Sequence, residues 1–288
     1  HVSNMAMFNM ENVGETNQLE LLQQLEVSED LHKSVFDYTK TKDLDWFSTP
    51  SHWTDVELLE ELNVGAYKLG SDDATNIPFL KRIAGLGKPM IVSTGMCTMR
   101  EVDDAVDAIL STGNHELSLL HAITNYPTHP ENVNLRAMET LKVRYPQLDI
   151  GYSDHTTNNY ACLAAASMGA RILEKHFTYD KNAEGPDHMV SADPIEMKDL
   201  VKGVRQIEKM LGHGIKMPAK TEALSRINSR KSIVVTRDMK PGEIIKKMDM
   251  AIKRPGTGIT PKFINRLIGK TVCRNLVYDE AINWEDLE

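Results

Sequence analysis

The sequence predicts an α/β fold, a TIM-type (β/α)8 barrel lacking its first two strands in this chain, followed by a small β-rich C-terminal module. Three observations predict it. Short apolar strand-like runs alternate with amphipathic helical runs at spacings of roughly 20–30 residues, the order that makes right-handed crossovers and a parallel sheet. Polar residues able to do chemistry stand at the carboxyl end of each such run. After Gly212 the period changes and a β-branched texture with tight-turn signals takes over.

The elements follow in order. The opening HVSNMAMFNMENVGETNQ has no clear period of either kind. From VSEDLHKSVFDYTKTKDL the spacing is helical, with Ser28 as N-cap and Glu29 and Asp30 in the first turn, where the helix dipole favours acids. LDWFSTP then reads as a strand, as do GAYKLGS at 65–71, KPMIVSTG at 88–95, ELSLLHAI at 116–123, QLDIGYSDH at 147–155 and ARILEKHF at 170–177. Each is followed by a helical pattern. A closed barrel needs eight such units. An open doubly wound sheet could stop at six but would carry a glycine-rich first turn, and no GxGxxG is present. Ser48, Thr49, Lys68, Ser71, Ser93, Thr94, His121, Thr124, Ser153, His155 and His176 all fall at strand carboxyl ends, and only a barrel converges such a ring on one pocket. The amphipathic IEMKDLVKGVRQIEKMLG closes the first region at Gly212. The expected division is a partial barrel at 1–212, a linker at 213–228 and a β-rich module at 229–288. Within that module EIIKKMDM at 243–250 is weakly echoed by EAINWEDL at 280–287.

Composition bounds the function. With 41% hydrophobic and 26% charged residues the chain can bury a large core, and a net charge of −8 argues against nucleic acid or an anionic membrane as the main partner. The expected partner is a small molecule or another protein. Three scattered cysteines without a CxxC suggest neither a disulfide framework nor a zinc cluster, and with no signal peptide or long apolar run the expected location is cytoplasmic.

Two histidines end neighbouring predicted strands. His155 and His176 would bring their imidazoles within one coordination sphere with positions left for water and substrate oxygens, and spacing alone leaves the metal-ligand and structural readings both open. Asp154 reads as a partner orienting an imidazole or as a turn residue. Lys68 alternates into the barrel, where an unpaired ammonium is costly and an anionic ligand would resolve the cost. Thr49, Ser71, Ser93 and Ser153 add hydroxyls that suit a phosphate or carboxylate cradle, or else cap the helices that follow. STGM at 93–96 and GPDH at 185–188 read as loops, and KRPGTG at 253–258 is a rigid basic loop able to reach an anion or a sugar hydroxyl.

Taken together and in order, FSTP, AYKLGS, STGM, YPT, GYSDHT, EKHFT, GPDH and KRPGTG resemble the sialic acid synthase family over about residues 17–288, including a C-terminal module similar to its antifreeze-like (SAF) domain. The resemblance implies a barrel that condenses phosphoenolpyruvate with N-acetylmannosamine or a related amino sugar, with a divalent ion such as Mn2+ or Mg2+. It makes His155 and His176 the metal ligands. Thr49, Lys68, Ser71, Ser93 and Ser153 would hold phosphoenolpyruvate, with Thr124 where the family varies between Asn and Thr. Tyr126 and Asp187 fall on the amino-sugar side. Lys68 would stabilise the phosphate, and Asp73, where many relatives have Glu, would bind sugar or relay a proton. Arg254 resembles an arginine lent to the other subunit's site, implying a domain-exchanged homodimer. The family's first strand with its acid and second strand with its lysine have no counterpart, so the sequence reads as a fragment. N-acetylmannosamine, its 6-phosphate and diacetamido sugars stay open as acceptors. Another phosphoenolpyruvate–aldose condensing barrel and a non-catalytic sugar-binding protein are the rival readings.

Overall fold

A computed structural model describes residues 7–10, 14–17, 23, 25–185 and 187–288, so Pro186 of the GPDH stretch and much of the opening segment lie outside the described residues. The chain divides into two compact units, His1–Gly212 and His213–Glu288.

In the first unit a short antiparallel hairpin, β1 (Met7–Met10) and β2 (Gly14–Asn17), precedes helix α1 (Glu29–Lys40). Ser28 caps α1 as expected, its Oγ accepting from the Leu31 amide at 3.3 Å. Five parallel strands follow: β3 (Tyr67–Leu69), β4 (Met90–Ser93), β5 (Leu117–Ala122), β6 (Asp149–Asp154) and β7 (Leu173–Lys175). Helix α2 (Trp53–Glu61) precedes β3. Helices α3 (Ile77–Ala84), α4 (Met99–Leu110), α5 (Ala137–Arg144), α6 (Tyr160–Ser167) and α7 (Pro194–Leu211) follow the strands in turn. Neighbours in the sheet are neighbours in the chain, β3-β4-β5-β6-β7. With no reversal of strand order there is no switch point, and the sheet curls as an arc of a barrel whose carboxyl ends open on one mouth.

One expected strand is not formed. Residues 44–50 are coil with no ladder partner among the described residues, so the sheet has five strands where six were expected. Alternation is necessary for a strand but a neighbour makes it one. Leu44 and Phe47 are exposed, and Trp46 packs edge-on against Phe36 of α1 with ring centroids 5.2 Å apart.

The period-two alternation of the strands sorts their chemistry onto two faces. Tyr67, Leu69, Met90, Val92, Ile150 and Tyr152 are buried against the helix layer in one continuous core. The residues between them, Lys68, Ser93 and Ser153 among others, belong to the opposite, inner face. Parallel register sets Ser153 between Ala122 of β5 and Glu174 of β7. The inner face is therefore polar where the strands end.

The second unit pairs β8 (Ser232–Val235) with β9 (Met250–Lys253) antiparallel around a core of Ile233, Val235, Ile245, Leu267, Val272 and Ile282. Residues 213–228, read as a linker, contribute most of a short helix, α8 (Ala223–Ser229). The faint sequence echo has a structural basis. Arg237 Nε donates to Asp249 Oδ1 at 2.8 Å and its terminal nitrogen to Glu243 at 2.6 Å. Thirty-seven residues on, Arg274 Nε donates to Asp286 Oδ1 at 2.5 Å and its terminal nitrogen to Glu280 at 2.9 Å. Each acid also takes a backbone amide at matching positions, Lys240 and Lys246 in one half, Val277 and Asn283 in the other. The unit is two copies of one charge clamp. Among the described residues no helix is long and apolar enough to cross a membrane.

Candidate active site

The site is built on the last residues of β6 and β7. In a parallel pair, residues that face each other in register share a face, so Ser153 and Asp154 at the end of β6 meet Glu174 and Lys175 at the end of β7, with His155 and His176 one residue beyond. Ser153 stands opposite Glu174 and donates from Oγ to Glu174 Oε1 at 2.6 Å. Two residues on, His155 and His176 approach with ring centroids 5.3 Å apart and planes nearly perpendicular. Tyr126 lies against both, 4.1 Å from the His155 ring and 5.6 Å from the His176 ring.

Each imidazole has one nitrogen engaged. His155 Nδ1 lies 2.6 Å from the Ile123 carbonyl. A carbonyl only accepts, so Nδ1 carries the proton and Nε2 keeps its lone pair. Burial, opposed by that hydrogen bond, pushes the His155 pKa down and favours the neutral ring. His176 Nδ1 faces Asp187 Oδ2 at 3.4 Å, an arrangement that likewise leaves Nε2 free. That hydrogen bond holds the Asp187 carboxyl below the usual carboxylate range despite its burial. Imidazoles oriented through Nδ1 by a carbonyl or a carboxylate are suited to hold a divalent cation through Nε2. No group of three or more His, Cys, Asp or Glu gathers as a metal cage among the described residues, so a cation on this pair would need substrate oxygens or water to complete its shell.

Next to the histidines is a corner that gathers one ammonium, one carboxylate and several hydroxyls. The Lys68 side chain is 9% exposed, and its Nζ lies 3.3 Å from Glu174 Oε2 and donates to the Leu69 carbonyl at 3.1 Å. The counter-charge that the buried ammonium requires is thus supplied within the chain, by a residue the sequence reading passed over. Ser93 Oγ is buried without a hydrogen-bond partner among the described residues. An orphaned hydroxyl costs about 1–3 kcal/mol unless a ligand satisfies it. Gly95, read as no more than a turn, packs Ser71 and Thr124 together: its amide donates to Ser71 Oγ at 2.9 Å, and an added Cβ would stand 2.7 Å from Thr124 Cγ2 and 2.8 Å from Ser71 Oγ.

Tyr126 marks an acidic side. Its phenol is pushed up to about 12 by burial first and then by the charges of Asp187, Glu174 and Asp72. Asp73 is held in the turn after β3, accepting from Asn76 Nδ2 at 2.9 Å, and its carboxyl is raised by burial, partly offset by Asn76 and augmented by Asp72. The carboxylate that reaches Tyr126 from this turn is Asp72.

Several expected residues of the first unit stand outside this cluster, and one belongs to the second unit. Thr49 is exposed at the end of the unpaired coil and makes none of these hydrogen bonds among the described residues. Arg254 is exposed in the second unit, on a loop held by Ser232 Oγ donating to the Pro255 carbonyl at 2.7 Å and by the Gly256 amide donating to Ile227 at 2.7 Å. His121 is not part of the mouth. It stands in register with Tyr152, on the helix-facing side, and its Nε2 donates to the Val133 carbonyl at 2.8 Å. Asp154 does not orient an imidazole either, because one step along a strand reverses the face. It is fully buried on the helix side and pairs with Lys175 at 2.8 Å.

Comparison with known proteins agrees with this fold. The NeuB family model matches residues 1–216 and the SAF domain model residues 230–288. The N,N'-diacetyllegionaminic acid synthase of Campylobacter jejuni is 40% identical over 268 residues, covering 92% of this chain and 80% of that protein. The N-acetylneuraminate-9-phosphate synthase of Homo sapiens is 34% identical over 263 residues, covering 91% and 73%. The crystal structure of N-acetylneuraminic acid (sialic acid) synthetase from Leptospira borgpetersenii superposes with a TM-score of 0.68 at 32% identity over 72% of each chain. A barrel arc followed by a SAF domain, matched over nearly the whole chain by relatives named as synthases of such sugar acids, belongs to a chain of this descent: the protein is a member of the NeuB family.

Proposed function

We propose that the protein condenses phosphoenolpyruvate with an unphosphorylated diacetamido hexose to give a nine-carbon nonulosonic acid and inorganic phosphate. The observation that carries the reading is the adjacency of the Lys68–Ser153–Glu174 corner to the His155–His176 pair. Phosphoenolpyruvate occupies the corner, its phosphate and carboxylate held by Lys68, Ser71, Ser93 and Ser153, with Thr124 beside Ser71. Glu174 stands in for that anion in the free chain and gives way to it. The amino sugar lies against Tyr126 and Asp187, with Asp73 on the turn after β3.

In the reaction, the methylene carbon of phosphoenolpyruvate forms the C–C bond to the sugar aldehyde carbon, whose oxygen takes a proton. Water adds to the cationic C2, and the C–O bond to phosphate breaks to leave the keto acid. A divalent ion, Mn2+ or Mg2+, held by His155 and His176 would supply Lewis-acid polarisation of the aldehyde and charge screening. Lys68 stabilises charge as phosphate departs, and the two histidines are kept in place by Ile123 and Asp187.

Two considerations favour the acceptor named. The legionaminic acid synthase stands at 40% identity and the synthase named for a 9-phosphate at 34%. The acids around Tyr126 also disfavour a second phosphate on the sugar side. Arg254 is lent by a second copy of the chain in a domain-exchanged dimer.

His155→Ala and His176→Ala should each abolish Mn2+ binding in calorimetry and phosphate release from phosphoenolpyruvate plus sugar. Retained metal affinity in both variants would make the histidines structural. Mn2+ and sugar binding with no turnover would favour a sugar-binding protein instead.

A further inference from the structure

We infer that the buried ion pair Asp154–Lys175, on the face opposite the site, is the device that positions His155 against His176. The inference rests on the proposed reading of those histidines as the holders of a divalent ion.

The backbone ladder between β6 and β7 ends at the Asp154–Lys175 pair. Both histidines stand one residue past it, so the sheet itself does not set their approach. The ion pair does what the ladder leaves undone. Lys175 Nζ, 3% exposed, donates to Asp154 Oδ2 at 2.8 Å, and beyond it to the carbonyls of Thr156 and, at 3.1 Å, Asn158. Those two carbonyls bracket the loop that leaves His155. An ammonium on the strand carrying His176 therefore fastens the loop carrying His155.

Asp154 completes the tie from the other side. Its carboxylate accepts from the Thr156 amide at 3.0 Å, Thr156 Oγ1 at 3.1 Å, Tyr152 Oη at 3.0 Å and Cys162 Sγ at 3.4 Å. His155 lies between two residues, Asp154 and Thr156, that are each locked to the same ammonium. A buried ion pair is a poor source of stability, because desolvation offsets most of its attraction. What it supplies is geometry, and here the geometry is the distance between two imidazoles.

The test separates positioning from mere support. In the full chain, Asp154→Asn with Lys175→Met removes both charges at once while an amide oxygen remains for Tyr152 and Thr156. Mn2+ alone is the probe, titrated by calorimetry, with thermal melting measured on the same samples. The double variant should melt cooperatively and bind Mn2+ about 10- to 100-fold more weakly, the loss typical of outer-shell partners. Unchanged Mn2+ affinity in the folded double variant would overturn the inference and leave the proposed function standing. If the unsubstituted chain does not bind Mn2+, both fall. Thr156→Val, which removes the Oγ1 hydrogen bonds to Asp154 and Asn158 at nearly constant volume, is measured alongside and decides the question should the double variant not fold. A several-fold loss supports the tie, and none refutes it.

Discussion

Glu174→Gln tests whether a carboxylate of the protein holds the place of the substrate anion. The change keeps shape and leaves an amide oxygen for Ser153, but it strips Lys68 of a counter-charge at 3.3 Å. At an effective dielectric of about 20 the lost attraction is about 5 kcal/mol gross. The Glu174 side chain is 37% exposed, so solvent already screens much of this, and the net loss should be about 1–3 kcal/mol. At about 2–4 °C per kcal/mol for a region of this size, melting of the free chain should fall by roughly 2–12 °C. Phosphoenolpyruvate should then bind more tightly, because it no longer displaces a carboxylate: roughly tenfold, the equivalent of about 1.4 kcal/mol. Saturating phosphoenolpyruvate should narrow the gap in melting temperature between variant and parent. The assays are thermal unfolding with and without phosphoenolpyruvate and calorimetric titration of it. Unchanged melting together with weaker phosphoenolpyruvate binding would refute the reasoning and make Glu174 a group the ligand needs.

Gly95→Ala puts a Cβ at 2.7 Å from Thr124 and 2.8 Å from Ser71, an overpacking of about 1–3 kcal/mol, and should raise KM for phosphoenolpyruvate at least about tenfold in steady-state phosphate release; an unchanged KM would remove Ser71 and Thr124 from the anion site. Arg254→Ala should raise KM for the sugar more than that for phosphoenolpyruvate, and mixing it with His176→Ala should restore up to about half of the sites if the arginine acts across a dimer. No recovery despite proven subunit exchange would place the arginine within its own chain or outside the reaction. In the second unit the Arg237 hydrogen bond, against burial and aided by the Lys246 amide, holds the Asp249 carboxyl below its usual range. Its stabilisation is complete above the unfolded carboxyl pKa of about 3.9 and lost as pH falls through the depressed folded value. Arg237→Met should therefore flatten the acid limb of the melting temperature, and an equally steep limb would refute the clamp.

What the sequence made legible is what depends on period and local chemistry. Alternation found β3 to β7 and put Lys68 on the inner face, and the Ser28 cap was readable because a side-chain oxygen before an acidic first turn has one evident use. Register was not legible, and register decides the site. Asp154 looked like a partner of His155 because it adjoins it in the chain, yet adjacency along a strand means opposite faces. Glu174 was passed over, although the same period-two rule places it on the face of His176 and opposite Ser153. LDWFS failed for the converse reason: its alternation is real, but no neighbour pairs with it.

The second unit shows the same limit in a milder form. The echo between EIIKKMDM and EAINWEDL was visible because each clamp's two acids lie six residues apart within it. The arginines that give those acids their purpose stand six residues before the first acid, in unlike surroundings, TRDM in one half and CRNL in the other. Asp249 and Asp286 are almost completely buried, so neither copy could have kept its acids without its arginine. A repeat whose conserved part is a charge constellation is faint as a string and plain as a set of distances. The same holds at the active site, where SDH and EKH share one letter of three but meet residue by residue as a hydrogen bond, an ion pair and a pair of rings.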